Sequence, residues 1–168
     1  DPDYAGQVVH VHDQPAHTGE YISLEDVESE FLRNVLSKNG IEQLYSHQYA
    51  ALKLAAEGRD TLICTGTASG KTLCYALPIL EHLNTDMAAR ALLLFPTKAL
   101  TQDQFQGFRR YANSAGMADM LAGVHDGDTP PNLRRRLRDH GRAIFTNPDM
   151  LHASIMPNHA RWAEFLSN

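Results

Sequence analysis

From residue 59 onward the chain keeps one rhythm: a short apolar run, a loop of small and polar residues, then apolar positions three and four apart. The runs are "TLICT" (61–65), "RALLLF" (90–95), "ADMLAGV" (118–124) and "RAIFT" (142–146). Short apolar runs bounded by turn residues predict strands. Their alternation with helical segments predicts a parallel sheet covered by helices on both faces. The intervening helices are predicted over 71 to about 84, after a cap at Thr97, after Thr129 with Pro130 at the first helical position, and from Asn147 and Pro148. A last helix is predicted over "NHARWAEFL" (158–166), with Trp162, Phe165 and Leu166 on one side.

Before residue 59 the pattern differs. "QVVHVH" (7–12) alternates like a short strand, which places His10 and His12 on one face. Two histidines without a further ligand nearby make a poor metal site. Ser23 reads as an N-cap with Asp26 three residues on. Leu24, Val27, Phe31, Leu32, Val35 and Leu36 follow at helical spacing, and Gly40 is a stop. A second helix is predicted from Ser46 to Gly58. The chain therefore divides into an N-terminal extension (1–22), a helical segment (23–58) and an α/β portion (59–168).

Composition changes this picture little. A chain of 168 residues suffices for one ordinary domain, and 43% hydrophobic with 21% charged residues is globular usage. No apolar run approaches the ~18 residues of a membrane span. The opening "DPDYAGQVVHVHDQ" is too acidic and polar for a signal peptide. The net charge of −5 hides an asymmetry: residues 1–60 hold 11 acidic against 4 basic residues, and 61–168 hold 9 against 11. Its sign is therefore set by the N-terminal third and leaves a nucleic-acid surface open. Cys64 and Cys74 read as free, packed thiols in a reducing cytoplasm.

Chemistry is predicted just beyond the carboxyl ends of the strands, where open parallel sheets bind ligands. After the first run comes "TGTASGKT" (65–72). Small residues let backbone N–H groups converge on an anion, and a helix start adds its positive end. Lys71 can reach β and γ phosphates, and Thr72 can offer its hydroxyl to Mg²⁺. The pattern departs from the usual phosphate loop: Thr65 stands where a glycine is expected, with Gly66 one place late. Upstream, Gln48 lies near the start of a helix with Tyr45 just before it. Its amide could pair with the adenine edge or simply face solvent. Thr97, Thr129 and Asn147 each follow a strand as helix caps, a register suited to backbone phosphates. The basic "RRRLR" (134–138) is either a solvated helix face or an added phosphate track.

Taken in order, Gln48, "TASGKT", "FPTKAL" (95–100), "HDGDT" (125–129) and "TNPDML" (146–151) resemble the superfamily 2 helicases of DEAD/DEAH-box type. They correspond to the Q motif, motif I, motif Ia, the glycine-containing motif and motif Ib. The strings "LYSHQ", "TGTASGKTLCY" and "LFPTKALTQDQ" are most similar to the RecQ-related, mitomycin repair factor A subfamily, which shares the displaced glycine. The resemblance covers about residue 5 to the end. It implies a RecA-like P-loop domain, incomplete here, and a parent that unwinds DNA 3′→5′ with ATP and Mg²⁺, in DNA repair. It further implies that 23–58 is the Q-motif segment and 59–168 part of the ATP-binding domain. By the same resemblance, Thr67, Ala68, Ser69, Gly70, Lys71 and Thr72 hold the phosphates, and Thr72 the metal. Gln48 and Tyr45 belong to the base site, and Phe31 stacks on adenine or fills the core. Pro96, Thr97, Lys98, Gly127, Asp128, Thr129, Thr146 and Asn147 face the nucleic acid, DNA rather than RNA, beside a second motor domain.

Hydrolysis needs an Asp-Glu pair at a strand end to hold Mg²⁺ and position water. No such pair occurs after Asn147, and family members carry "DEAH" on the strand that comes next. The expectation is a chain that binds nucleotide weakly without helicase activity and leaves an uncovered sheet edge. A non-motor nucleotide-binding interaction module, a piece of an RNA helicase and a small-molecule P-loop kinase are the alternatives.

Overall fold

In the computed structural model, residues 6, 8–13 and 18–167 are described. Residues 8–13 are exposed and have no regular secondary structure, so the strand predicted over 7–12 does not form among them. The first regular element is a small antiparallel ribbon. Strand β1 (Tyr21–Ser23) pairs with β2 (Gln43–Tyr45), with Tyr21 opposite Tyr45.

Between them the single helix predicted from Ser23 is split. Ser23 caps only a 3₁₀ turn, Leu24–Asp26. Val27 is extended and fully buried, and Ser29 caps helix α1 (Glu30–Lys38) by accepting from the Leu32 N–H at 3.2 Å. The same serine hydroxyl donates to Glu81 at 2.8 Å, which ties the start of α1 to the body of the protein. The break occurs because Ser29 is the better-placed cap: its hydroxyl serves both partners at once. Gly40 ends the helix at φ 71°, a left-handed conformation that glycine adopts freely. Helix α2 (Ser46–Ala56) follows as predicted.

The main sheet has three parallel strands, β3 (Ala91–Leu94), β4 (Ala122–Val124) and β5 (Ala143–Thr146), in the order β3-β5-β4. Helices α3 (Lys71–Thr85), α4 (Lys98–Ser114) and α5 (Pro131–His140) connect or precede them. β5 is buried throughout and divides the core by its alternation. Phe145 points into one cluster, its ring 5.4 Å from Phe105 and 5.3 Å from Phe108, with Leu77, Leu80 and Leu93 around it. Ile144 points into the other, with Leu137, Ile155, Trp162 and Phe165. Both faces are thus covered by helices. Arg142, just before β5, donates to the carbonyls of Leu83 at 2.9 Å and Ala89 at 3.4 Å, and also to that of Asp86. It anchors the turn from α3 into β3.

The run at 61–65 is not a strand. It has no regular secondary structure and is mostly exposed, Leu62 at 88%, and Cys64 is exposed with it rather than packed like the buried Cys74. A strand is defined by its neighbours, and this run has none. Thr61 and Ile63 face Arg90 and Ala91 across an open groove of about 670 Å³ also lined by Tyr75 and Ile79. Two further boundaries shift. α5 begins at Pro131 rather than Pro130, because a residue before proline is pushed to extended backbone, and Pro130 sits at ψ 142°. The helix predicted over 158–166 is broken. A 3₁₀ stretch, Met156–Arg161, meets the one-turn α7 (Ala163–Leu166) at Trp162. Trp162 and Phe165 are buried and Leu166 is exposed.

Candidate nucleotide and nucleic-acid site

The loop before α3 closes on itself. Ala68 (φ 58°) and Gly70 (φ 74°) are left-handed, which folds residues 65–70 back over the start of the helix. Lys71, the first helical residue, curls into that loop. Its ammonium donates to the Thr65 carbonyl at 3.0 Å and the Ser69 hydroxyl at 3.3 Å, and also to the Gly66 carbonyl. Thr65 and Ser69 share a hydroxyl–hydroxyl hydrogen bond of 2.6 Å. The cation therefore uses loop oxygens as partners where phosphate oxygens could serve instead. Gly66, Thr67 and Ala68 are exposed, open to an incoming ligand.

α2 braces this loop from the side. The Gln48 carbonyl oxygen accepts from the Tyr45 N–H at 2.9 Å, and its amide donates to the Gly70 carbonyl at 2.8 Å. His47 donates through Nε2 to the Ser69 carbonyl at 2.9 Å. Gln48 is only 3% exposed, so both ends of its amide are engaged inside the protein. A Cβ on Gly70 would lie 2.5 Å from Gln48 Nε2, so the glycine serves a close approach as well as its φ. Tyr45 stacks on His47 with ring centroids 5.5 Å apart and lies 4.9 Å from Tyr21. Phe31 is half-buried against the main core.

On the far side of Lys71, the Thr72 hydroxyl donates to Gln104 Oε1 on α4 at 3.1 Å, and the Tyr75 hydroxyl donates to the same oxygen. Burial, with a smaller contribution from the nearby Asp103 charge, pushes the Tyr75 phenol up to about 12, so it remains a donor at any working pH. A cleft of about 540 Å³ opens here, lined by Gly70, Thr72, Asp103, Gln104 and Arg110. Among the described residues no three His, Cys, Asp or Glu side chains group around one point. The Thr72 hydroxyl, at the head of α3, could join phosphate oxygens around a Mg²⁺ ion.

The other predicted residues gather at the ends of the three strands. After β3, Thr97 caps α4 by accepting from the Leu100 N–H at 3.2 Å, and Pro96 and Lys98 flank it, all exposed. After β4, Asp126 accepts from the Asp128 and Thr129 N–H groups at 3.0 and 2.9 Å. Burial alone would raise its pKa, but these bonds and the Thr129 hydroxyl hold it below the ordinary carboxylate range. Thr129 does not cap a helix. Its hydroxyl lies 2.8 Å from the Val124 carbonyl and from Asp126, locking the turn that presents Gly127. After β5, Thr146 is buried and donates to the His125 carbonyl at 2.7 Å, while Asn147 caps α6 (Pro148–Met150) by accepting from the Met150 N–H at 2.9 Å. Lys98 reaches Asp128 at 2.7 Å, which joins the β3 and β4 ends and raises the lysine pKa. Pro96, Thr97, Lys98, Gly127 and Asp128 are thus the exposed residues of this strand-end face, while Asp126, Thr129, Thr146 and Asn147 are buried behind them. His47, Gln104 and His125 belong to the same architecture, but their roles arise from tertiary approach and leave no local signal.

A parallel sheet with a glycine-bearing phosphate loop at the head of a helix, and polar motifs at successive strand ends, defines a RecA-like nucleotide-binding fold. The DEAD/DEAH box helicase family profile matches residues 45–168, and the chain belongs to that family. It is 45% identical over 139 residues to the ATP-dependent helicase YprA of Bacillus subtilis (83% of this chain, 18% of the relative). It is 38% identical over 164 residues to the ATP-dependent helicase HRQ1 of Saccharomyces cerevisiae (97% and 15%). Among solved structures it is similar to the DUF1998 helicase MrfA bound to DNA, with a TM-score of 0.83 and 41% identity over 90% of this chain and 22% of that one. A second MrfA structure, bound to DNA and AMPPNP, matches equally well. The chain thus spans less than a quarter of each of these relatives. No helix among the described residues is long and apolar enough to cross a membrane.

Proposed function

We propose that these residues form the ATP-binding part of the first motor domain of an ATP-dependent DNA helicase, working in the cytoplasm beside a second motor domain. The observation that carries the reading is the loop of residues 65–70 closed over the first turn of α3, with the Lys71 ammonium curled onto loop oxygens. Lys71 would exchange those oxygens for β and γ phosphate oxygens. The backbone N–H groups of Ala68, Ser69 and Gly70 would donate to the same phosphates, Thr67 would flank them, and the α3 N-terminus would add its positive end. Thr72 would release Gln104 and turn its oxygen to Mg²⁺. Gln48 would read adenine by giving up one of its two internal bonds, with Tyr45 beside it; Phe31 keeps its core contacts. In the parent protein, hydrolysis of the bound ATP would supply the free energy for strand movement. Pro96, Thr97, Lys98, Gly127, Asp128, Thr129, Thr146 and Asn147 would follow the strand's backbone, so contact is independent of base sequence. DNA is favoured over RNA because the 41%-identical solved relative is bound to DNA. Polarity 3′→5′ and a role in DNA repair follow from the family resemblance.

The strand ends of β4 and β5 continue as His125-Asp126 and Asn147-Pro148, so the 168 residues offer no Asp-Glu pair there. We expect nucleotide binding without turnover at helicase rates. Titration of the 168-residue chain with a fluorescent ATP analogue tests this directly. Lys71→Ala should weaken binding at least about tenfold, the cost of a charged hydrogen bond to phosphate. Binding that ignores Lys71 would sink the nucleotide reading. DNA-stimulated hydrolysis by the purified chain, lost in Lys71→Ala, would sink the expectation of no turnover.

A further inference from the structure

Beyond the end of β4 the strand-end face continues into a separate cleft of about 230 Å³. It lies between the first turns of α5 and the 3₁₀ stretch at Met156–Arg161, and is lined by His125, Arg134, Arg138, Ser154, Asn158 and Arg161. His125 is only 3% exposed, and its Nδ1 is buried with no hydrogen-bond partner. Its ring is held edge-on to Trp162 at 5.1 Å. A buried polar nitrogen left unmatched costs stability unless something arrives to meet it.

The charges around it are not balanced. Asp139 takes Arg138 at 2.7 Å and Arg135 at 3.8 Å. Asp128 is taken by Lys98, and the Asp126 carboxylate by the Thr129 turn. Arg134 and Arg161 have no ion-pair partner among the described residues. Two guanidinium groups, a hydroxyl, an amide and an imidazole nitrogen around one cleft are the donor set of a phosphate site, because planar guanidinium groups match phosphate oxygens in pairs.

Its position names the source of the phosphate. The strand order β3-β5-β4 places the cleft past the outer strand of the face, beginning at His125, whose carbonyl already accepts from Thr146 of that face. We propose that this cleft takes a backbone phosphate of the nucleic-acid strand as it leaves the strand-end face, with Arg134 and Arg161 as charged donors and the His125 imidazole as the inner one. This rests on the nucleic-acid reading above and adds Arg134 and Arg161, which lie outside the strand-end motifs.

The test measures binding of a fluorescein-labelled single-stranded oligonucleotide to the 168-residue chain by anisotropy across a range of salt. The Arg134→Ala/Arg161→Ala variant should bind about tenfold more weakly. The slope of log K against log salt should lose about 0.7, one phosphate on a single strand. Loss of binding in Lys98→Ala with no change in the arginine variant would overturn the proposal while leaving the strand-end face intact. Circular dichroism and urea midpoints of the variants separate lost contact from lost folding. If the unmodified chain binds no oligonucleotide, the nucleic-acid reading itself fails, and a titration with inorganic phosphate decides the cleft. Movement of the His125 ring resonances, absent in the arginine variant, would keep it as a phosphate site. Unmoved resonances would overturn it.

Discussion

Gln48 shows how much one side chain does here. Its amide holds the Tyr45 N–H with one end and the Gly70 carbonyl with the other, so α2 and the phosphate loop share a single group. Gly70→Ala would force a left-handed conformation on a residue with a side chain and press a Cβ against Gln48 Nε2. We predict a loss of about 1–3 kcal/mol in urea unfolding, together with weakened nucleotide binding. His125 carries a second prediction at this scale. Burial, aided by the charge of Arg134, holds its pKa below the ordinary 6.5, against the opposing pull of Asp126 and a backbone hydrogen bond; Arg135, Arg138 and Arg161 also line its cleft. Below pH 6.5 the unfolded chain binds a proton that the folded chain refuses, so its contribution is complete above 6.5 and declines as pH falls toward the lowered value. The Asp126 contribution is present above about 3.8 and is lost only at lower pH, outside this window. Urea midpoints at pH 7.5 and 5.5 should therefore differ in the parent chain and differ less in His125→Asn. Equal pH sensitivity in both would contradict the assignment.

At the level of elements, β3, β5, α3 and α4 are legible from periodicity because their burial pattern is local: β5 is apolar on both faces, and α4 carries Phe105, Phe108 and Tyr111 at helical spacing. The loop at 65–72 is legible for a different reason, since Lys71 and Thr72 after Gly70 have a chemical use that a plain turn lacks. What misled was whatever depends on a neighbour. Residues 61–65 have the composition of a buried strand, yet a strand exists only through a ladder, and none reaches them. Thr129 has the chemistry of a cap, yet the Pro130-Pro131 pair moves the helix start past it. Gln104 and the His125 cleft were invisible because they are assembled from segments far apart in sequence. Two tests belong here. Backbone amides of residues 61–66 should exchange within the fastest class while those of β5 are protected, a contrast readable by hydrogen-exchange mass spectrometry. Arg142→Met should cost about 1.5–3 kcal/mol, because it removes charged donors from the Leu83, Asp86 and Ala89 carbonyls that set the α3–β3 turn.

Across the whole molecule, two chemical ends meet in one helix. α4 begins at Lys98, on the strand-end face, and its Gln104 holds the Thr72 hydroxyl of the phosphate loop. Six residues of helix separate them, about 9 Å of rise. Nucleotide that draws Thr72 away from Gln104 would therefore act on the same rigid rod that carries the proposed nucleic-acid contacts. Thermodynamics makes such an arrangement a two-way account: whatever factor nucleotide applies to strand affinity, the strand must apply to nucleotide affinity. Measuring both factors on the 168-residue chain, and again in Gln104→Ala, gives the size of that exchange. The parent should show a factor different from one, equal in both directions. The variant should bring it closer to one, as if the two ends of the rod had been let go.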